Sequence, residues 1–213
     1  MRARHTGWAR TINLTLKRIM DLIFSLIGLC VLSPIFIAIA LLIKCTSPGP
    51  IFFRQERLGQ HGKIFRIVKY RTMVVNAEKM GDGLTIKSEN DSRITPVGKF
   101  LRASSMDELP QLWNVLVGDM SLVGPRPPVP HYPYKYEDYN DYQRQRFSMR
   151  PGITGLAQVT VRNSASWDDR IVLDVEYIEK FNVFFDAKII CKTFQKIAIR
   201  DNIYAAEERG KGI

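Results

Sequence analysis

Twenty-two consecutive residues without a charge, Leu22 to Ile43, are bracketed by basic side chains. Arg2, Arg4, Arg10, Lys17 and Arg18 precede the run, and Lys44, Arg54, Arg57 and Lys63 follow it. As a straight helix of roughly 20 residues it matches the ~30 Å hydrocarbon core of a bilayer. Two features oppose a straight crossing. Lys and Arg collect on the cytoplasmic side of a membrane, and here both flanks are basic. Ser33-Pro34 also falls at the midpoint, where proline removes a backbone donor and kinks a helix. A hairpin that enters one leaflet and returns satisfies both, and is favoured over its rival, a single span with a tolerated proline. A secretory signal is excluded, because its apolar core of roughly 7–15 residues is shorter. Asp21, at the entrance, is expected to be neutralised by Lys17 or Arg18, one helical turn earlier.

The 213 residues divide into a basic N-terminus with the re-entrant membrane helix, 1–45, and a domain at the cytoplasmic membrane face, 46–213. A formal net charge of +10 calls for an anionic partner, which the apolar run makes membrane phosphate rather than nucleic acid. Cys30, Cys45 and Cys191 are too far apart for a zinc knuckle, and no disulfide framework is indicated.

Beyond the break at Thr46-Ser47-Pro48-Gly49-Pro50, the segments 51–56 and 63–70 read as two strands of a hairpin. Gly62-Lys63 between them is not a P-loop, because neither the glycine spacing nor a following Ser or Thr is present. Residues 76–95 are polar and read as a mobile surface loop. A helix begins near Pro96, and a stronger one is expected from Asp107 to Val117, with Ser104, Ser105 and the two acids as its start and Gly118 as its stop. The aromatic stretch Tyr132 to Tyr142 is placed at the surface. Helices follow over 171–181 and 185–200. The latter spaces Lys188, Lys192, Lys196 and Arg200 four apart, which suits a helix in the headgroup plane and equally one packed on the core with a solvated edge.

Asp107 and Glu108 hold the chemistry. Adjacent acids at a helix start have a plain explanation as caps that complement the helix dipole. Their setting adds another. Arg102 lies five residues upstream, Arg126 is locked between Pro125 and Pro127, and Arg150 precedes a second proline turn. Guanidinium groups bind phosphate through paired hydrogen bonds. Carboxylates among arginines suit phosphoryl transfer, with one acid attacking phosphorus and the other holding a divalent metal.

These segments resemble the small monotopic phosphoglycosyl transferases of bacteria. The likeness rests on Lys17-Arg18-Ile19-Met20-Asp21, Ser33-Pro34, Phe53-Arg54-Gln55-Glu56-Arg57-Leu58-Gly59 and Lys69-Tyr70-Arg71-Thr72-Met73. It continues through Leu101-Arg102-Ala103-Ser104-Ser105-Met106-Asp107-Glu108-Leu109-Pro110-Gln111, Gly118 to Pro127, and Arg150-Pro151-Gly152-Ile153-Thr154-Gly155 with Ala157-Gln158. It covers roughly residues 15–200 in order. The absence of a preceding membrane domain points to the small form of the family.

The resemblance implies an α+β, mainly helical fold: a re-entrant membrane helix-break-helix, a small β-hairpin, and amphipathic surface helices around a catalytic helix. It implies transfer of a sugar 1-phosphate from a UDP-sugar to polyprenyl (undecaprenyl) phosphate, with release of UMP, in glycoconjugate synthesis. Asp107 would be the nucleophile that forms an aspartyl-phosphosugar, and Glu108, with Asp107, would hold Mg²⁺. Lys69, Arg102, Arg126 and Arg162 would contact phosphate or nucleotide, and Arg150 and Gln158 join that set. Ser33 and Pro34 would be the kink. The protein would sit monotopically on the cytoplasmic face of the bacterial inner membrane, its partners being UDP-sugar, polyprenyl phosphate and phospholipid; no nucleic acid is expected, and a homodimer is left open. Two departures stand out. Leu156 replaces the family's usual Trp, and Val159-Thr160-Val161-Arg162-Asn163 replaces Val-Asn-Gly-Arg-Asn. The rival is a catalytically idle membrane-surface scaffold of the same fold.

Overall fold

The computed structural model describes residues 7–80, 91–161 and 165–199. The apolar run forms the end of α1 (Gly7–Val31) and most of α2 (Ser33–Thr46), which meet at a bend of 60°. Pro34 has no N–H to offer the carbonyl of Cys30, four residues back. The Ser33 hydroxyl donates to that carbonyl instead, at 2.8 Å. Backbone bonds from Leu32 to Gly28 and from Phe36 to Leu32 carry the ladder through the bend. Among the described residues no single helix is long and apolar enough to cross a membrane. Ile23, Phe24, Leu26 and Ile27 on α1, with Ile37, Leu41 and Leu42 on α2, leave half or more of their surface exposed.

The polar residues at the entrance of the apolar run are fastened differently from the local pairing expected. Lys17 Nζ lies 2.5 Å from Asp186 Oδ2 and donates to the Val123 carbonyl. Asp21 Oδ1 accepts from the Ser121 hydroxyl and the Leu122 N–H, each at 3.0 Å. Arg18 donates to the carbonyls of Val115 and Leu116. This part of α1 lies against the rest of the fold, where Lys17 and Asp21 are buried. Buried charges need partners in fixed positions.

Strands β1 (Phe52–Leu58) and β2 (Ile64–Tyr70) form the expected antiparallel hairpin, closed by a 3-10 turn at Gln60–Gly62. His61 and Gly62 there adopt positive φ. Phe65 and Ile67 pack on Val115 and Met120, while Tyr70, on the opposite face, packs with Ile39, Ile43 and Leu101. The hairpin thereby joins α2 to the helical body.

Helix α3 (Pro96–Ala103) begins where expected, capped by the Thr95 hydroxyl on the Gly98 N–H. The following helix does not. Ser105 adopts positive φ, Met106–Glu108 form a 3-10 turn, and α4 spans only Gln111–Val117. Asp107 and Glu108 therefore stand between two helices, with no capping hydrogen bond, rather than on a catalytic helix. The left-handed residue breaks the helical path that the hydroxyls and acids suggested.

A second, parallel pair, β3 (Ser121–Val123) with β4 (Gly152–Thr154), was not foreseen. Three-residue strands carry no readable alternation. Gly124, Gly152 and Gly155 let the two chains touch: a Cβ on any of them would collide with backbone atoms of Arg150 or Gly124.

Helices α5 (Asp141–Arg144), α6 (Leu156–Thr160), α7 (Trp167–Lys180) and α8 (Val183–Ile199) complete the body. The aromatic stretch is not wholly superficial, because Tyr139 is buried edge-on against Tyr134 and Phe147. The far end of the polar 76–95 stretch is also packed. Arg93 is buried and clasped by Asp91, and Ile94 bridges to Met73. On α8, Ile189 is buried in the core whereas Phe184 and Phe194 are exposed; Arg200 lies outside the described residues.

Candidate active site

Three segments bring charge to the acid pair. Lys69 arrives from β2, because its register partner is Phe53 and its side chain shares the hairpin face with Ile67. Arg126 arrives from the turn after β3, where Pro125 and Pro127 fix the backbone on either side. That turn is held from behind by Arg146, which donates to the Arg126 carbonyl at 2.8 Å and is itself buried against Asp174 at 2.6 Å. Arg102 arrives from the last turn of α3, its Nε donating to the Thr72 hydroxyl at 2.8 Å.

Glu108 receives the first two. Its Oε1 is 2.6 Å from Lys69 Nζ and 3.5 Å from an Arg126 Nη2. Burial works to raise its pKa, but Lys69, Arg126 and Arg57 outweigh that and hold it well below the usual carboxylate range. Asp107 goes the other way. Burial pushes its pKa up to about 6, and the Glu108 charge adds to that, against the pull of Lys69, Arg102 and Arg126. One acid is thus a fixed anion and its neighbour is poised near neutrality. Two neighbouring carboxyls driven apart in this way have the electrostatics that an acid pair with separate roles requires.

Glu108, Lys69 and Arg126 line a small cleft together with Arg57, Ile67, Gln111, Pro127 and Gly152. Arg57 comes from β1, two register pairs along the same face as Lys69. It donates to the Pro127 carbonyl and to Gln55. Burial and then Arg126 lower its pKa to about 10, so it is still a cation at neutral pH.

The other expected site residues lie elsewhere or out of view. Arg150 donates to the Gly118 carbonyl at the end of α4, beside Arg18. Gln158 sits on α6 with its amide 3.5 Å from the Ile153 carbonyl. Arg162 is outside the described residues. Ser33 and Pro34 form the bend described above. Asp107 and Glu108 are brought together with Lys69, Arg102 and Arg126 as expected.

Sequence reading passed over Arg57, Gln111 and Asn114. The alternation Phe53, Gln55, Arg57 against Phe65, Ile67, Lys69 contained the signal for Arg57. Asn114 accepts from the Val68 N–H and donates to the Arg66 carbonyl, tying α4 to the free edge of β2. Nothing local in the sequence announces that link.

Among the described residues no group of three or more His, Cys, Asp or Glu side chains could enclose a metal ion. The two adjacent acids can supply one or two carboxylate ligands. That suits Mg²⁺, which usually keeps waters and takes further ligands from substrate phosphates.

Residues 12–200 match the family model for bacterial sugar transferases. The chain is 43% identical over 197 residues to the galactosyl transferase CpsE of Streptococcus agalactiae, covering 88% of this chain and 43% of that protein. It is 40% identical over 188 residues to the uncharacterized sugar transferase EpsL of Bacillus subtilis, covering 88% and 90% respectively. It is also 40% identical over 198 residues to a UDP-glucose:undecaprenyl-phosphate glucose-1-phosphate transferase of Klebsiella pneumoniae, covering 91% and 42%. The chain thus spans less than half of CpsE and of the Klebsiella enzyme, and nearly all of EpsL. A match that takes in the bent helix pair, the hairpin and the acid pair in one alignment leaves a single conclusion: this protein belongs to the bacterial sugar transferase family.

Proposed function

We propose that this protein is a phosphoglycosyl transferase, moving a sugar 1-phosphate from a UDP-sugar to polyprenyl phosphate at the cytoplasmic membrane face and releasing UMP. The observation that carries the reading is the split acid pair, Asp107 pushed up and Glu108 held down by Lys69 and Arg126. The name of the Klebsiella relative, which specifies undecaprenyl-phosphate glucose-1-phosphate transfer, supports it.

In the first half-reaction a carboxylate oxygen of Asp107 attacks the sugar-bearing phosphorus. A bond forms from that oxygen to phosphorus, and the bond from phosphorus to the bridging oxygen breaks, so UMP departs with the electron pair. Asp107 must be ionised to attack, and a pKa near 6 leaves it ionised at neutral pH while keeping it a stronger nucleophile than an ordinary aspartate. Lys69, Arg126 and Arg102 place positive charge where negative charge gathers on the phosphoryl oxygens. In the second half a polyprenyl phosphate oxygen attacks the same phosphorus. The acyl phosphate bond breaks, the Asp107 carboxylate returns, and a polyprenyl diphosphate sugar leaves. Glu108 and Asp107 would hold Mg²⁺, which when bound supplies charge neutralisation to the diphosphate.

The bent helix pair, with apolar faces exposed and both flanks basic, supports re-entrant, monotopic attachment. The experiment that tests the function is intact-protein mass spectrometry after incubation with UDP-sugar and Mg²⁺ without acceptor. One phosphosugar adduct on Asp107 and one UMP released per protein are expected. Asp107→Asn should show neither adduct nor turnover while staying folded. Turnover surviving in that variant, or an adduct at another residue, overturns the assignment.

A further inference from the structure

Two polar groups on the wall of the cleft have no partner. The Nε2 amide of Gln111 is buried, its residue only 2% exposed, and it makes no hydrogen bond. The Nε of Arg57 is likewise buried and unpaired, although the other two guanidinium nitrogens are occupied by Pro127 and Gln55. Buried amides and guanidinium N–H groups are almost always satisfied, because leaving one unmade forfeits its hydration for nothing in return. Here both unmet groups are lodged in one cleft, beside Lys69 and Arg126, and both can only donate.

The chemistry of that wall selects its ligand. A hydroxyl or an amide needs an acceptor as well as a donor. The carboxylate beside these donors, Glu108, is already engaged through Oε1 by Lys69 and Arg126. A non-bridging phosphate oxygen only accepts and is negative, which matches unpaired donors among three cations. Gln111 also opens α4, three residues after Glu108, so its amide is held on the same rigid turn as the acid pair.

We propose that Gln111, with Arg57, is a phosphate-binding residue of this site, its Nε2 donating to a non-bridging oxygen of the phosphoryl group held between Lys69 and Arg126. This rests on the phosphoryl-transfer reading above. The phosphoryl group comes either from the nucleotide sugar or from the lipid phosphate, and the test separates them.

The variants are Gln111→Leu, which keeps the volume without the amide, and Gln111→Glu, which keeps the shape but turns a donor into a negative acceptor. Full-length protein in nanodiscs is titrated with inorganic phosphate, with UMP and with a short-chain polyprenyl phosphate, by calorimetry and by thermal unfolding. Gln111→Leu is expected to unfold at or above the wild-type temperature without ligand, because an unmet buried donor has been removed, and to bind phosphate about tenfold more weakly or worse. Gln111→Glu is expected to lose more affinity than Gln111→Leu. A loss seen with UMP and not with the lipid assigns the group to the nucleotide; the reverse assigns it to the acceptor. Wild-type binding of every phosphate in both variants overturns the role of Gln111, and a lowered unfolding temperature alongside that marks it as structural. Failure of the wild type to bind any of the three sinks the phosphoryl-transfer reading itself.

Discussion

At the scale of single residues, Asp107 places reactivity and stability in opposition. Its carboxyl holds a proton more tightly folded than unfolded, because burial raises its pKa from 3.8 to about 6. The stabilisation linked to that proton is complete below pH 4 and is lost as pH rises through about 6. Asp107→Asn should therefore melt above wild type at pH 7.5 in the absence of Mg²⁺, and the difference should vanish near pH 4 when both are scanned by calorimetry. The same shift predicts that kcat/KM falls as pH drops through about 6, two units above an ordinary aspartate limb. Arg126 supplies a second test. Its backbone is fixed by two prolines and by the Arg146 bond to its carbonyl, so the side chain leaves a backbone already set in place. Arg126→Lys keeps the charge but not the planar fork, and turnover with a UDP-sugar should fall roughly tenfold or more, the scale of one charge-assisted hydrogen bond.

At the scale of elements, the hairpin and the helix break were legible and the surroundings of the acids were not. Aromatic and β-branched residues at 51–53 and 64–68, with the turn residues Gly59 and Gly62 between them, mark β1 and β2, and a proline in an uncharged run marks the bend. By contrast, Ser104, Ser105 and Asp107 imitate a helix start. Only the left-handed backbone at Ser105 shows that α4 begins after Pro110. Lys69, Arg102 and Arg126 could be gathered from their motifs. Arg57, Gln111 and Asn114 owe their place to which face of a hairpin meets which helix, a tertiary fact with no local signature. Asn114 shows what such a link is worth. Asn114→Leu should strand the Val68 N–H and the Arg66 carbonyl and cost about 2–4 kcal/mol, measurable by urea unfolding.

At the scale of the whole molecule, α1 belongs to two environments. Its middle is tied into the body through Lys17, Arg18 and Asp21, and the end beyond them exposes apolar side chains. Lys17→Met should cost about 3–5 kcal/mol, since it leaves Asp186 buried beside Tyr177 without its cation, while a paired Asp186→Leu change should recover part of the loss. The re-entrant reading places Arg10 and Lys99 on one side of the membrane. In a cysteine-free background, cysteines at both positions should resist an impermeant reagent applied outside spheroplasts. Strong labelling at position 10 would instead indicate a span.

The link from Asp21 to Ser121 and Leu122 has a consequence in the vertical direction. Leu22, the next residue, begins the apolar run, and β3, on which the carboxylate pulls, leads within three residues to Arg126. If the run enters a leaflet, one end of the Asp21 side chain would mark the top of the hydrocarbon while the other end holds the strand that leads to Arg126. On the re-entrant reading, α1 works as a depth gauge. It would then hold the acid pair at headgroup level, where a lipid phosphate could meet it without being lifted from the bilayer.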